Sequence, residues 1–266
     1  QVGYSLFENE FGVRLLSIIF STGFIYFLYK LAPKHNHTSY WYIIFSIFPL
    51  HFFGFLSVPD TPFLFFSGLF FYVFKKYLDK DSLSNAALLG IVIALLFYSK
   101  YHAVLVVFFT VVANFALFKR KSFYGIIVIS LALFSPHIWW QISNNFPTLQ
   151  FHLVDRSASS YDWIYTVEYI SGQLFFYGPL LGGILLIRAL IKRRYSQFDT
   201  TLYVNLIGVL VFFFLMSFKG RVEVNWTIPI IVPLVLLNIN DKVISQSFQK
   251  TIKWLSIVSL LLFALV

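Results

Sequence analysis

The chain has no cysteine, a single methionine and only 12% charged residues. Without cysteine there is no disulfide, no thiolate metal ligand and no cysteine nucleophile. With so little charge, and 59% of its 266 residues apolar, a soluble domain would lack the polar surface to cover itself. The composition therefore requires a polytopic membrane protein. Acidic residues are scarcer than basic ones, eleven against twenty, which leaves a net charge of +9. In a soluble protein that excess would suggest nucleic acid. Here its placement at the ends of apolar runs assigns it to membrane topology instead, and no nucleic-acid partner is expected.

What is present in abundance is long apolar segments. They fall at about 11–31, 40–58, 62–78, 86–100, 102–118, 122–140, 164–190, 201–218, 225–239 and 251–266. At these lengths only helices satisfy their own backbone in lipid. The sequence predicts an all-α bundle of about ten spans, with no internal repeat and no linker, as one domain over residues 1–266. The link Pro59-Asp60-Thr61 and the link Lys100-Tyr101-His102 are too short for soluble loops and read as tight hairpins. The Gly178-Pro179 pair is placed to kink the long 164–190 segment.

Charge gives the bundle a direction. Fifteen basic residues (Lys30, Lys34, Lys75, Lys76, Lys80, Lys119, Arg120, Lys121, Arg188, Lys192, Arg193, Arg194, Lys242, Lys250 and Lys253) fall at one set of ends. Arg14, Lys100, Arg156, Lys219 and Arg221 fall at the other. Basic residues resist translocation, so the first set is expected in the cytoplasm and the second outside.

The outer set is where chemistry is expected, because ionisable groups at a membrane boundary are costly unless paired or functional. Asp60 lies between two prolines at a helix start. There it can cap free N–H groups or hold a carboxylate rigidly at a cavity mouth. Lys100 can snorkel to the headgroups or present a point charge to a phosphate. His102 follows in the same hairpin. His152, Asp155 and Arg156 span one helical turn, as a solvated loop face or as a lid whose Arg156 grips a phosphate. Lys219-Gly-Arg221-Val-Glu223-Val-Asn225 is the densest charged run, and Glu223 can neutralise Arg221 there. No spacing of His, Asp or Glu assembles a metal site, so no cofactor is required; a divalent metal is compatible but not specified.

Together these segments resemble the GT-C superfamily of membrane glycosyltransferases, nearest to bacterial relatives of protein O-mannosyltransferases and of the lipid A aminoarabinose transferase. The resemblance rests on five motifs in order. They are Glu8-Asn-Glu-Phe-Gly-Val-Arg14-Leu-Leu, Pro59-Asp60-Thr61-Pro62, Ser99-Lys100-Tyr101, the stretch Trp140 to Phe151, and Arg221-Val-Glu223-Val-Asn225-Trp226. It implies transfer of a sugar from a polyprenyl-phosphate carrier to a glycan, lipid or protein acceptor outside a bacterial inner membrane. In that family the key Asp lies in the first outer loop. The segment Gln1 to Glu10 has no initiator Met and no features of a signal peptide. The chain therefore reads as lacking the first helix and most of that loop, with the principal catalytic Asp upstream and the piece inactive alone. Of the residues present, the resemblance gives Asp60 a catalytic or hydroxyl-orienting role. It places Lys100, Lys219 and Arg221 on the phosphate, with His102, Glu223 and Asn225 beside them, and has His152 and Arg156 close over the substrate.

Two other functions fit a helical membrane bundle. A transporter or flippase would use mid-span polar residues, for which Asn114, His51 and Asn205 are the candidates, and a non-catalytic membrane subunit would use none of these sites. The orientation itself is directly testable. A cysteine introduced at Ser143 or Ser159 should react with an impermeant thiol reagent in intact cells, and one at Ser82 or Ser196 only after permeabilisation. The opposite labelling pattern would reverse every assignment of sides.

Overall fold

The computed structural model describes residues 5, 7–53, 56–150, 160–240 and 244–264. Among them there is no strand, as a chain that must satisfy its backbone in lipid requires. Thirteen helices among the described residues carry the fold. We number them α1 (Glu10–Leu31), α2 (His37–Ser46), α3 (Phe48–Phe53), α4 (Asp60–Asp79), α5 (Leu83–Ser99), α6 (Ala103–Val112) and α7 (Lys121–Ser143). Then follow α8 (Pro147–Gln150), α9 (Trp163–Phe176), α10 (Gly182–Ile191), α11 (Gln197–Met216), α12 (Ile231–Ile239) and α13 (Gln246–Ala264). Three of them, α1, α7 and α11, are long and apolar enough to cross a membrane by length and composition.

Helix starts follow local chemistry. Asn9, Ser82, Asp162 and Ser196 each accept a backbone N–H from the first turn of α1, α5, α9 and α11, satisfying donors that have no intrahelical partner.

Four of the expected spans are broken, three where proline or glycine stands and one at a contact with another helix. The 40–58 span stops at Ile47, between Ser46, whose hydroxyl bonds back to Ile43 O at 2.7 Å, and Pro49. The 102–118 span leaves α-geometry at Asn114, which spends its amide across the interface on α11, and continues as a 3-10 segment, Phe115–Lys119. The 164–190 span breaks where expected. Gly178 has φ +124°, and a Cβ there would lie 2.6 Å from Ser46 O, so only glycine fits. The 225–239 span opens as a 3-10 segment, Val224–Ile230, containing Pro229, before α12 begins.

Packing runs from α1 through α4 and α5 to α7, while α6 lies along α11 and α13 along α2. α12 is the innermost element, with all nine of its residues buried. Lipid offers no hydrophobic reward for helix association, so close approach and interhelical hydrogen bonds must hold the bundle. The α6–α11 interface supplies the second. Asn114 donates to Thr201 Oγ1 at 2.8 Å, Asn205 to Thr110 Oγ1 at 3.0 Å, and Gln197 to Asn114 Oδ1 at 2.9 Å. Two of the three mid-span polar residues that a transporter reading would draw on are thus engaged in helix pairing.

The bundle has two chemically different ends. At one, Arg120 donates to the last carbonyls of α4 (Tyr77 O, 2.8 Å), Lys192 to Leu237 O, and Asn240 to Asp199 at 2.9 Å. At the other lie Asp60, Lys100, Gln141 and Asn225. This is the alternation expected from the charge pattern.

Helices α5 and α7 approach closely at Gly90 in α5, where a Cβ would meet Ile129 Cβ at 2.9 Å and Ile126 O at 3.0 Å on α7. Gly90→Val should lower stability in detergent by about 1–3 kcal/mol through overpacking. Gly125→Ala on α7, where a Cβ meets nothing within 4 Å, should leave the unfolding midpoint unchanged or slightly raised. Equal effects of the two would show that α5 and α7 do not pack as described.

Candidate functional site

Asp60 is the first residue of α4, with Pro59 in the capping position and Pro62 inside the first turn, where its missing N–H costs nothing. Of the two roles open to it, Asp60 does not take the cap, because that position belongs to Pro59. Asp60 makes no cap bond, and its neighbour Thr61 ties the turn by donating to Leu56 O at 2.9 Å. The carboxylate is instead 5% exposed and engaged at both oxygens. Oδ1 accepts from Lys100 Nζ at 2.6 Å and Oδ2 from Asn225 Nδ2 at 3.0 Å. The positive end of the α4 dipole adds to the stabilisation of this anion.

Lys100 terminates α5 in an extended conformation (φ −164°, ψ 139°), which turns its side chain back toward α4. The snorkelling alternative is corrected: the side chain is 15% exposed and faces Asp60, because a carboxylate in a water-poor site outweighs hydration of a lone ammonium. An ammonium carries three N–H donors, and the contact with Asp60 uses one. Asn225 comes from the 3-10 segment Val224–Ile230, whose position is set from below. Tyr177 donates to Thr227 O at 2.8 Å, and Thr227 Oγ1 donates to Gln173 Oε1 on α9. His102 packs against Phe213 and Trp226, each ring centroid 5.4 Å away. A long distance in sequence is bridged here: Asp60, Lys100 and Asn225, from three separate elements, form one charged centre. His102, in the hairpin of Lys100, and Trp226, next to Asn225, pack on each other.

The remaining expected residues are placed differently. Lys219 is exposed at the same end of the bundle. Arg221 Nε reaches Glu168 Oε2 on α9 at 3.1 Å, so the cation pairs across to another helix and not locally as the Glu223 pairing anticipated. Arg221, Glu223 and Glu168 line a cavity of about 320 Å³ beside the charged centre's 3-10 segment. His152, Asp155 and Arg156 lie outside the described residues.

Two groups were not anticipated as site residues. Glu168 was legible only as a carboxylate within an apolar helix, a rarity that itself flags function. The second is a polar cluster next to Lys100. Tyr101 OH lies 2.7 Å from His137 Nε2, Gln141 Nε2 2.7 Å from Tyr101 OH, and Thr148 Oγ1 2.9 Å from it. The i, i+4 spacing of His137 and Gln141 on α7 was its only signal in the sequence. For a divalent metal the fit is poor. No three His, Asp or Glu side chains converge among the described residues, and both oxygens of Asp60 already have partners.

Residues 1–140 match the family model for dolichyl-phosphate-mannose-protein mannosyltransferase. That stretch contains Asp60, Lys100 and His137, while Asn225 and Arg221 lie beyond it. No curated protein and no solved structure matches the chain.

A buried pair of this kind is costly to break. Lys100→Met, leaving the Asp60 carboxylate uncompensated, should destabilise the protein in detergent by about 3–5 kcal/mol. Adding Asp60→Asn should recover a large part of that loss, so a double-mutant cycle on unfolding should give a strong coupling. Additive effects would mean that the two groups do not share one desolvated site.

Proposed function

The chain belongs to the dolichyl-phosphate-mannose-protein mannosyltransferase family, and on that premise we propose that it is a membrane glycosyltransferase. In this reading it moves a sugar, mannose by the family's description, from a polyprenyl-phosphate carrier to a hydroxyl of a glycan, lipid or protein. The charged end of the bundle faces the extracytoplasmic side of a bacterial plasma membrane. The observation that carries the reading is the buried Lys100–Asp60–Asn225 centre at one end of a helical bundle. It is a cation held at a fixed point beside the membrane, where the phosphate of a lipid-linked sugar would lie.

The chemistry follows from that placement. The acceptor oxygen attacks the anomeric carbon. The bond from that carbon to the phosphate oxygen breaks, and its electron pair leaves on the carrier phosphate. The hydroxyl proton passes to a carboxylate base. Charge grows on the phosphate, and a preorganised cation in a site poor in water stabilises that growth more than the ground state. Lys100 supplies the fixed cation through its remaining N–H donors, and exposed Lys219 supplies a second. Asp60, with both oxygens occupied, is a positioning residue in this scheme: it and Asn225 fix the ammonium so that no reorganisation is needed during reaction. The proton goes to a different base. His102 and Trp226 form the wall against which the carrier's first isoprene unit would rest.

The test is transfer from polyprenyl-phosphate mannose by the full-length protein in membranes. Lys100→Arg keeps the positive charge against Asp60 but moves the donors, and should reduce the rate by about 30- to 1,000-fold, equivalent to about 2–4 kcal/mol of lost transition-state stabilisation. Lys219→Ala, at an exposed position, should fold normally and lose about tenfold, the effect of about 1.4 kcal/mol. Near-normal rates in both variants would remove the carrier phosphate from this centre.

A further inference from the structure

Arg221 raises a question that the phosphate centre does not answer. It is a strong phosphate ligand by chemistry, yet its guanidinium is held at 3.1 Å by Glu168, and Glu223 stands on the same cavity wall. A phosphate entering here would have to displace one carboxylate and approach another. The cavity volume, about 320 Å³, is at the lower end for small-molecule sites, about 300–1,000 Å³, and suits a single sugar ring.

The wall composition points the same way. The ion pair offers N–H donors and carboxylate acceptors side by side, while Ser171 lines the wall with its hydroxyl donated to Val167 O. Each hydroxyl of a pyranose both donates and accepts, so a paired set of both kinds matches adjacent hydroxyls where a lone cation would not. Phe175, 61% exposed, presents an apolar ring on the same wall, suited to the C–H face of a sugar. Across the cavity the backbone comes close, because a Cβ at Gly172 would lie 3.0 Å from Val224 Cγ2. Val224 begins the segment that carries Asn225 to Asp60, so this cavity and the charged centre share one element.

We propose that the cavity between α9 and residues 221–224 is a sugar subsite, which takes a neutral pyranose ring through Glu168 and Arg221 with Phe175 beneath it. It divides the labour at this end of the bundle: phosphate on Lys100, sugar hydroxyls on the Arg221–Glu168 pair. The proposal rests on the glycosyltransferase reading for the ring's role in the reaction, but occupancy of the cavity is measurable without turnover.

The chain contains no cysteine, so Ser171→Cys creates a unique thiol on the cavity wall. Its reaction with a small water-soluble maleimide is followed in the full chain in nanodiscs, with four probes: methyl α-mannoside, polyprenyl-phosphate mannose, bare polyprenyl phosphate and inorganic phosphate. A bound sugar should slow labelling about fourfold when present at about three times its Kd. Glu168→Gln or Phe175→Leu in the same background should abolish the protection. Protection by methyl α-mannoside and by the mannose-bearing carrier, but not by the bare carrier, assigns the subsite to the donor sugar. Protection by the free mannoside alone assigns it to an acceptor sugar. Equal protection by inorganic phosphate or bare carrier would make this an anion site and overturn the proposal, as would absence of protection by either sugar. Should the wild-type protein show no transfer while the mannoside still protects, the glycosyltransferase reading fails and the subsite stands.

Discussion

A carboxylate and an ammonium leave water together at one end of this bundle, and much of the candidate site depends on that pairing. Alone, either charge would pay several kcal/mol to be buried there. At 2.6 Å, with Asn225 on the second oxygen, each makes the other tolerable. The pair links the start of α4 to the end of α5, and Asn225 adds the segment before α12. Three elements are therefore registered at the point where the proposed chemistry needs a fixed cation. Such a pair is weak evidence for net stability; its value lies in geometry, because a Lys freed from Asp60 would follow its own hydration to the headgroups.

The opposite end solves a simpler problem with different groups. Arg120 and Lys192 donate to terminal carbonyls of α4 and α12, where cations complement the negative end of a helix. Between the ends the bundle relies on contact. Gly90 lets α5 and α7 touch, and the amides of Asn114, Asn205 and Gln197 stitch the α6–α11 region. Interhelical bonds of this kind in membranes are worth about 0.6 kcal/mol on average, up to about 1.7, so several are needed where a soluble core would rely on burial. The charged centre at one end and cohesion in the middle thus draw on separate residues. That separation allows Lys219 or Arg221 to change without loosening the helices.

Helix existence, the alternation of the ends and the weakness at Gly178-Pro179 were legible in the chain, because apolar length, Lys/Arg placement and φ preference are local properties. Asp60, Lys100 and Asn225 also stood out singly in the sequence, and the fold brings the three into contact. The interruptions at Ile47 and Asn114 were not legible, since apolar continuity runs straight through both. What breaks the second is a partner on another helix, Thr201, 87 residues away. Which of the two roles open to Asp60 it takes, cap or rigidly held carboxylate, was not legible for a related reason. A one-position shift of the helix start converts a cap into a buried ligand for Lys100, and helix starts are uncertain by more than that in any sequence.

By itself, then, the sequence determined that this is an α-helical membrane protein with one basic end and one mixed-charge end. Hydropathy and charge asymmetry act through the solvent and need no knowledge of neighbours. Only the tertiary structure decided which charges pair: Lys100 with Asp60 rather than with headgroups, Arg221 with Glu168 rather than with Glu223. Those choices depend on distances between groups far apart in the chain. For Lys100 and Asp60, buried and in contact, Coulomb energy in a medium poor in water outweighs the local preference of a lysine for the headgroups.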